Sequence, residues 1–166
     1  MSVVIFIEAL KFIFPAYCAN AIPVIAGGGF PIDFRKNFLD GRPIFGKNKT
    51  IRGFLFGLVF GTLVGIAESL FFENYPLYFG FILSLGALTG DLLGAFLKRR
   101  IGLKPGDLLP VVDQVDFILG AIIFSLFFYV SMVSSELVVA VLIVTPPLHL
   151  LTNYIAYKTG LKGTPW

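Results

Sequence analysis

GDLLGAFLKRRIGLKPGDLLPVVDQVD, residues 90–116, gathers Asp91, Lys98, Arg99, Arg100, Lys104, Asp107, Asp113 and Asp116 between two long apolar runs. A charged cluster bounded by such runs marks a place where a chain leaves a bilayer and returns to it. Crossing the hydrocarbon core takes roughly 20 apolar residues as a helix. Runs of that kind occupy 76–97 and 116–133 on either side of the cluster, and further ones occupy 3–26, 53–72 and 137–157. The pattern predicts an all-α integral membrane protein: one transmembrane domain over residues 1–166 with five transmembrane helices. The fourth run is the shortest and draws on the polar 112–116 stretch to complete its first turn. A long loop (27–52), a short turn at Glu73 and Asn74, the charged loop (98–115) and a tight turn from Ser134 to Glu136 join the spans.

Composition agrees with this reading. Hydrophobic residues make up 57% of the chain and charged residues only 14%, which excludes a soluble domain of this length. The apolar runs fill most of the chain, which also excludes a single anchor with a soluble body. The single Cys18 rules out an intramolecular disulfide and leaves the redox compartment open. A net charge of +3 comes from basic residues beside apolar spans, so the expected anionic partner is lipid headgroup and not nucleic acid. The first run lacks a basic leader and a small-residue cleavage site, and is expected to be retained.

Lysine and arginine give an orientation. Arg35, Lys36, Arg42, Lys47, Lys49 and Arg52 lie in the first loop, Lys98, Arg99, Arg100 and Lys104 in the third, and Lys158 and Lys162 in the tail. In a five-span chain these regions share one side, and the other side shows only Glu73 and Glu136. The positive-inside rule then places the N-terminus outside and the C-terminus in the cytoplasm. Lys11, inside the first span, stands apart. Span two carries Gly53, Gly57, Gly61 and Gly65, and span three carries Gly86, Gly90 and Gly94. Residues four apart share a helix face, so each span offers a smooth stripe against which a neighbouring backbone packs closely. Packing alone accounts for such stripes.

The charged residues carry the chemistry. Asp91 lies seven residues before Lys98, about 10 Å up the helix and just inside the membrane. Asp113 and Asp116 are three apart and project from one face at the start of span four. If spans three and four are antiparallel neighbours, the three carboxylates converge. Oxygen-only ligands without His or Cys nearby favour a hard cation such as Mg²⁺, which keeps waters and binds substrate phosphates. Helix capping is an equally good account of Asp113 and Asp116 taken alone, but it leaves Asp91 unexplained. A snorkelling anchor is the simpler account of Lys98, Arg99 and Arg100, whereas Lys104 and Asp107 lie away from the boundary and fit a catalytic loop.

The first loop, GGGFPIDFRKNFLDGRPIFGKNKTIRG (27–53), bears on the same side. Its Gly46, Lys49, Thr50 and Gly53 lack the spacing and the preceding strand of a nucleotide-binding P-loop. Lys49, Thr50 and Arg52 nonetheless stand at the start of span two, where a helix N-terminus favours phosphate. Glu8 and Lys11 are one turn apart and neutralise each other; Glu68 is expected to reach headgroups at the outer end of span two. His149 follows Pro146 and Pro147 and is isolated, and Asn20 is a weak candidate for the cytoplasmic site.

Two segments, PIDFRKNFLDGRPIFGKNKTIRG (31–53) and GDLLGAFLKRRIGLKPGDLLPVVDQVDF (90–117), resemble the archaeal CDP-archaeol synthases. The short five-span layout is similar to that family over essentially the whole chain. The resemblance implies a CTP-dependent cytidylyltransferase that converts CTP and 2,3-di-O-geranylgeranylglyceryl phosphate into the CDP-activated lipid and pyrophosphate, using Mg²⁺. It implies a multi-pass protein of the cell membrane with its active site on the cytoplasmic side. On this resemblance Asp91, Asp113 and Asp116 would hold one or two Mg²⁺ ions, while Lys98, Arg99 and Lys104, with Asp107 in the same loop, would meet the triphosphate. Lys49, Thr50 and Arg52 would bind CTP or the lipid phosphate, an isoprenoid glycerol ether phosphate whose chains lie among some of the 19 phenylalanines. The second segment also resembles the signature of bacterial CDP-diacylglycerol synthases but departs from it. Lys104 is followed by Pro105-Gly106-Asp107, no His-Gly-Gly turn occurs, and the last element reads Asp113-Gln114-Val115-Asp116.

A different class is a small ion transporter relaying charge through Glu8, Lys11, Glu68 and Asp91. No inverted repeat accompanies those residues. A CDP-alcohol phosphotransferase is hinted at by Asp40-Gly41 alone, without the Ala-Arg and paired aspartates that would follow. A non-catalytic scaffold leaves Asp91 unexplained.

Overall fold

The structure, a computed structural model, describes residues 2–72 and 75–165. The turn expected at Glu73 and Asn74 lies outside the described residues. Five helices follow in order: α1 (Val3–Ala26), α2 (Ile51–Phe71), α3 (Phe79–Arg100), α4 (Val112–Phe128) and α5 (Ser135–Lys158), with a 3₁₀ turn at Val130–Met132 before the last. The protein is an all-α membrane protein. Four of its helices, α1, α2, α3 and α5, are long and apolar enough to cross a bilayer.

The boundaries depart from the hydropathy reading where local chemistry intervenes. α3 begins at Phe79, three residues beyond Pro76, and runs on through Lys98, Arg99 and Arg100. Basic side chains in a last turn oppose the negative end of the helix dipole, so the charges extend this helix instead of ending it. α4 covers 112–128 and not 116–133: Asp113 sits in its first turn and the helix stops at Tyr129. α2 starts after Thr50, whose hydroxyl accepts the Gly53 N–H at 3.1 Å, and α5 starts after Ser134, which caps Leu137 in the same way.

Glycine contacts fix the packing. A Cβ on Gly57 would run into the Ala19 carbonyl of α1, and one on Gly61 would overlap Ser84 of α3 and Ala19. One on Gly65 would overlap the backbone of Gly80. The α2 stripe therefore seats α2 against α1 and α3 together. The α3 stripe turns the other way: Gly86 meets Gly120 and Ala121, and Gly90 and Gly94 meet Asp116. Rising numbers on α3 oppose falling numbers on α4, so the two helices are antiparallel. The same holds for α2 on α1 and for α3 on α2. The two stripes do not pack on each other; each serves a different neighbour.

α1 touches every other helix and lies at the centre. Phe12 and Ile13 of α1, Phe79 and Leu83 of α3, Phe117 and Ile118 of α4, and Val141 of α5 fill the interior. Phe12 meets Phe79 edge-on at 5.4 Å, and Tyr17 meets Phe117 at 5.0 Å. The outside is apolar as well: Leu55, Phe56, Val59, Phe60 and Leu63 of α2 are exposed, as a surface facing lipid tails requires. Up-and-down packing brings the starts of α2 and α4 and the ends of α1, α3 and α5 to one end of the bundle. That end carries the three basic segments.

Candidate active site

The loop between α1 and α2 is a built structure. Ile32 N donates to Lys49 O at 2.8 Å and Ile51 N to Phe30 O at 3.0 Å, which draws both ends of the loop together over α2. Asp33 organises what lies between. Its carboxylate accepts the backbone N–H of Arg35 at 3.0 Å, of Phe45 at 3.0 Å and of Gly46 at 2.8 Å. Burial alone would raise the pKa of Asp33, but these donors outweigh it and hold the carboxyl below its usual range. The Asp33–Arg35 bond also supports Phe34 and Arg35 in left-handed backbone at φ 53° and 62°.

Two arginines lock this loop to the α3–α4 loop. Arg42 donates its guanidinium to the carbonyls of Arg99 and Arg100, at the end of α3. Arg100 pairs in return with Asp40 and the Pro43 carbonyl and stacks on Phe38 and Phe96, each 4.8 Å away. The lock sets Lys49 against α3, where its ammonium lies 2.6 Å from both carboxylate oxygens of Asp91.

Facing Asp91 is the start of α4. Gly94, one turn beyond Asp91, has no side chain, and the Asp116 carboxylate lies in the space a Cβ would take. One further turn along, Lys98 bonds Asp113 at 2.9 Å and the Asp107 carbonyl at 3.1 Å. Asp113 also accepts the Leu109 N–H at 2.9 Å, so it braces the preceding loop and does not cap α4. Among the described residues no three acidic, histidine or cysteine side chains stand together as a ready cation site. The Asp116 carboxylate meets α3 at Gly94, one turn beyond Asp91, while Asp113 is engaged with Lys98.

These groups open onto one cavity of about 750 Å³. Of the residues singled out from sequence, Lys49, Thr50, Asp91, Lys98, Arg99, Asp107, Asp113 and Asp116 line it. Thr50 does so while capping α2. Arg99 is 3% exposed and donates to Ala95 O and, at 2.6 Å, to Leu103 O, tying the helix end to the loop. Arg52 and Lys104 are not among the lining residues: Arg52 lies over the Phe56 ring at 5.8 Å, and Lys104 is exposed. Asn20, the weaker candidate, does line the cavity.

The cavity has a wall that sequence reasoning missed. α5 and the tail contribute His149, Asn153 and Lys162. His149 is not isolated, since its ring lies 5.5 Å from that of Phe117. Burial and the nearby Lys49 lower the pKa of Lys162, which places it in the same field as the other lysines. The spacing of His149 and Asn153, one turn apart on α5, is the only sequence signal for this wall.

The intramembrane charges at the other end form no continuation of the site. Glu8 and Lys11 pair at 2.8 Å as their spacing implies. Glu68 does not reach outward to headgroups; it is buried between helices. Along α2 it stands about 27 Å from the Lys49 end.

The comparisons with known proteins converge. The family model described as "CarS-like: CDP-archaeol synthase" matches residues 1–166. The chain belongs to the CDP-archaeol synthase family. The CDP-archaeol synthase of Pyrococcus furiosus is 47% identical over 165 residues, covering 96% of this chain and 98% of that protein. The one from Methanocaldococcus jannaschii is 40% identical, covering 95% and 96%. A solved structure, described as an intramembrane enzyme for archaeal membrane lipids biosynthesis, superposes with a TM-score of 0.81 at 37% identity, over 89% of this chain and 94% of that one. Membership of the CDP-archaeol synthase family makes this chain a multi-pass membrane enzyme, and the cavity under the two locked loops is where its chemistry is to be sought.

Proposed function

We propose that the protein transfers the cytidylyl group of CTP to an isoprenoid glycerol ether phosphate, releasing pyrophosphate. One observation carries the reading: lysines and carboxylates from separate segments line a single cavity at the basic end of a lipid-facing bundle. A substrate with a soluble triphosphate and a membrane-bound phosphate requires such a place.

The donor set suits Mg²⁺, which binds through one or two carboxylates and completes its shell with phosphate oxygens and water. Asp91 and Asp116 would hold it, with Asp113 one turn away bracing Lys98 and the loop. When bound, Mg²⁺ supplies positive charge against the phosphates. Upon substrate binding the Lys49 ammonium exchanges Asp91 for phosphate oxygens. Lys98 faces the departing pyrophosphate, and the N-terminus of α2 behind Thr50 adds its dipole. The lipid phosphate is largely dianionic at neutral pH and attacks the α-phosphorus directly, so no side chain has to act as general base. Catalysis comes from holding the two phosphates in line and from compensating charge as the leaving group departs. Lys104 and Arg52 take no part in this scheme.

All five helices cross the membrane in this proposal. α4 extends about 25 Å and the 3₁₀ turn after it adds about 6 Å, together the thickness of a hydrocarbon core. The positive-inside rule puts the basic end, and with it the cavity, in the cytoplasm where CTP is available. The test is an omission assay on purified protein. Pyrophosphate and a CDP-lipid appear in equal amounts only when CTP, lipid phosphate and Mg²⁺ are all present. Pyrophosphate release without lipid phosphate would contradict the proposal.

A further inference from the structure

A hairpin at 37–43 turns the first loop back toward the membrane. Asn37 and Pro43 pair across its base, and Phe38 N donates to Arg42 O at 2.8 Å. Gly41, at φ +74°, closes the turn by donating its N–H to Phe38 O at 3.0 Å. Arg42 holds one leg at the very end of α3, on the Arg99 and Arg100 carbonyls. Phe38 reaches deeper, where its ring meets Phe96 edge-on at 5.2 Å. Phe96 stands four residues before Arg100, about 6 Å up the helix, and its side chain tilts further toward the helix start. Leu93 and Leu97 beside it are more than half exposed, so this flank of α3 faces lipid. Leu39, next to Phe38 at the tip, is 96% exposed, the most of any large apolar side chain among the described residues.

We propose that this hairpin is a membrane-surface anchor: Leu39 and the outer edge of Phe38 enter the leaflet beside α3, and cations at the hairpin base take anionic lipid headgroups. A leucine tip gains nothing from water, but at the depth of Phe96 it meets acyl chains. Charge agrees. Arg35 and Lys47 line a hollow of about 230 Å³ together with Asn37 and Pro43 of the hairpin base. The Asp33 carboxylate in that hollow is taken up by three backbone N–H groups, and Asp40 is paired with Arg100. Among the described residues Arg35, Lys36 and Lys47 enter no ion pair. Arg35 lies over the Phe30 ring at 5.6 Å, a contact that orients its charge without neutralising it. Cations above an apolar tip match the order of headgroup and acyl chain in an anionic leaflet. The anchor requires α3 to cross the bilayer but not the transferase chemistry. Because the same loop carries Lys49, it also fixes the height of that lysine over the bilayer.

Tryptophan quenching in the reconstituted full chain tests this. The sequence has a single tryptophan, so Trp166→Phe combined with Leu39→Trp leaves one reporter, at the tip. In vesicles of phosphatidylcholine and phosphatidylglycerol, acyl-brominated lipid should cut its emission by about half or more, while aqueous acrylamide quenches it weakly. At equal mole fraction, brominated phosphatidylglycerol should quench about twofold more strongly than brominated phosphatidylcholine. Arg35→Gln with Lys47→Gln should remove that difference. Leu39→Cys in a Cys18→Ala background, carrying a polarity-sensitive fluorophore, reads the same depth should the tryptophan variant fail to fold. Strong acrylamide quenching without bromolipid quenching would put the tip in water and overturn the inference. Quenching by neither would show a second copy of the chain covering the tip, and would overturn it as well. Equal quenching by the two brominated lipids would overturn the assignment to anionic headgroups.

Discussion

Asp33 shows how one side chain sets the geometry of a reaction it never touches. Three backbone N–H groups converge on its carboxylate and shape the loop that carries Lys49 to Asp91. Asp33→Asn keeps the size but loses charge and one acceptor, and should cost about 2 kcal/mol of stability, read as a lower melting temperature. Because its pKa is depressed by folding, this contribution is fully present above the ordinary carboxylate range near 4 and fades as pH falls through the lower folded value. The melting-temperature gap between native protein and Asp33→Asn should therefore be widest near neutral pH and close under acid. A gap that widens under acid would refute this role. Nothing in the sequence marks Asp33, since its partners are backbone groups brought near only by the folded loop. Asp91, by contrast, was legible, because a carboxylate inside an apolar run calls for explanation.

At the level of helices, Gly90 and Gly94 decide whether the site closes. A methyl at Gly90 would strike the Asp116 carbonyl and force α3 and α4 apart. Gly90→Ala should destabilise by about 1–3 kcal/mol, checked by thermal unfolding in detergent. A methyl at Gly94 would displace the Asp116 carboxylate itself. Gly94→Ala should accordingly lose far more activity than stability, read by comparing turnover with melting temperature. The stripes were plain in the sequence, but their partners were not. A row of glycines says that a face is smooth, not which helix lies on it. The end of α4 was misplaced for a related reason: residues 129–133 are as apolar as a helix requires, yet the chain turns to 3₁₀ there.

For the whole molecule, hydropathy yielded the helix count, and lysines and arginines in alternate loops placed the basic segments together at one end. The C-terminal wall escaped because Lys162 reads as one more anchoring cation until Gly160 is seen to turn it inward. Orientation follows from charge bias and is testable directly. In a Cys18→Ala background, a cysteine at Lys36 should react with an impermeant thiol reagent only after the membrane is opened. One at Glu136 should react in intact cells, and the opposite pattern would invert the proposed topology. The central claim is that the Asp91 end of the bundle, and not the buried Glu68 end, performs the chemistry. Pyrophosphate release from CTP, lipid phosphate and Mg²⁺ should be compared for the native protein, Asp91→Asn and Glu68→Gln, all purified and folded. The account predicts a loss of about 10³-fold or more for Asp91→Asn and only a few-fold change for Glu68→Gln. The reverse ranking would contradict it.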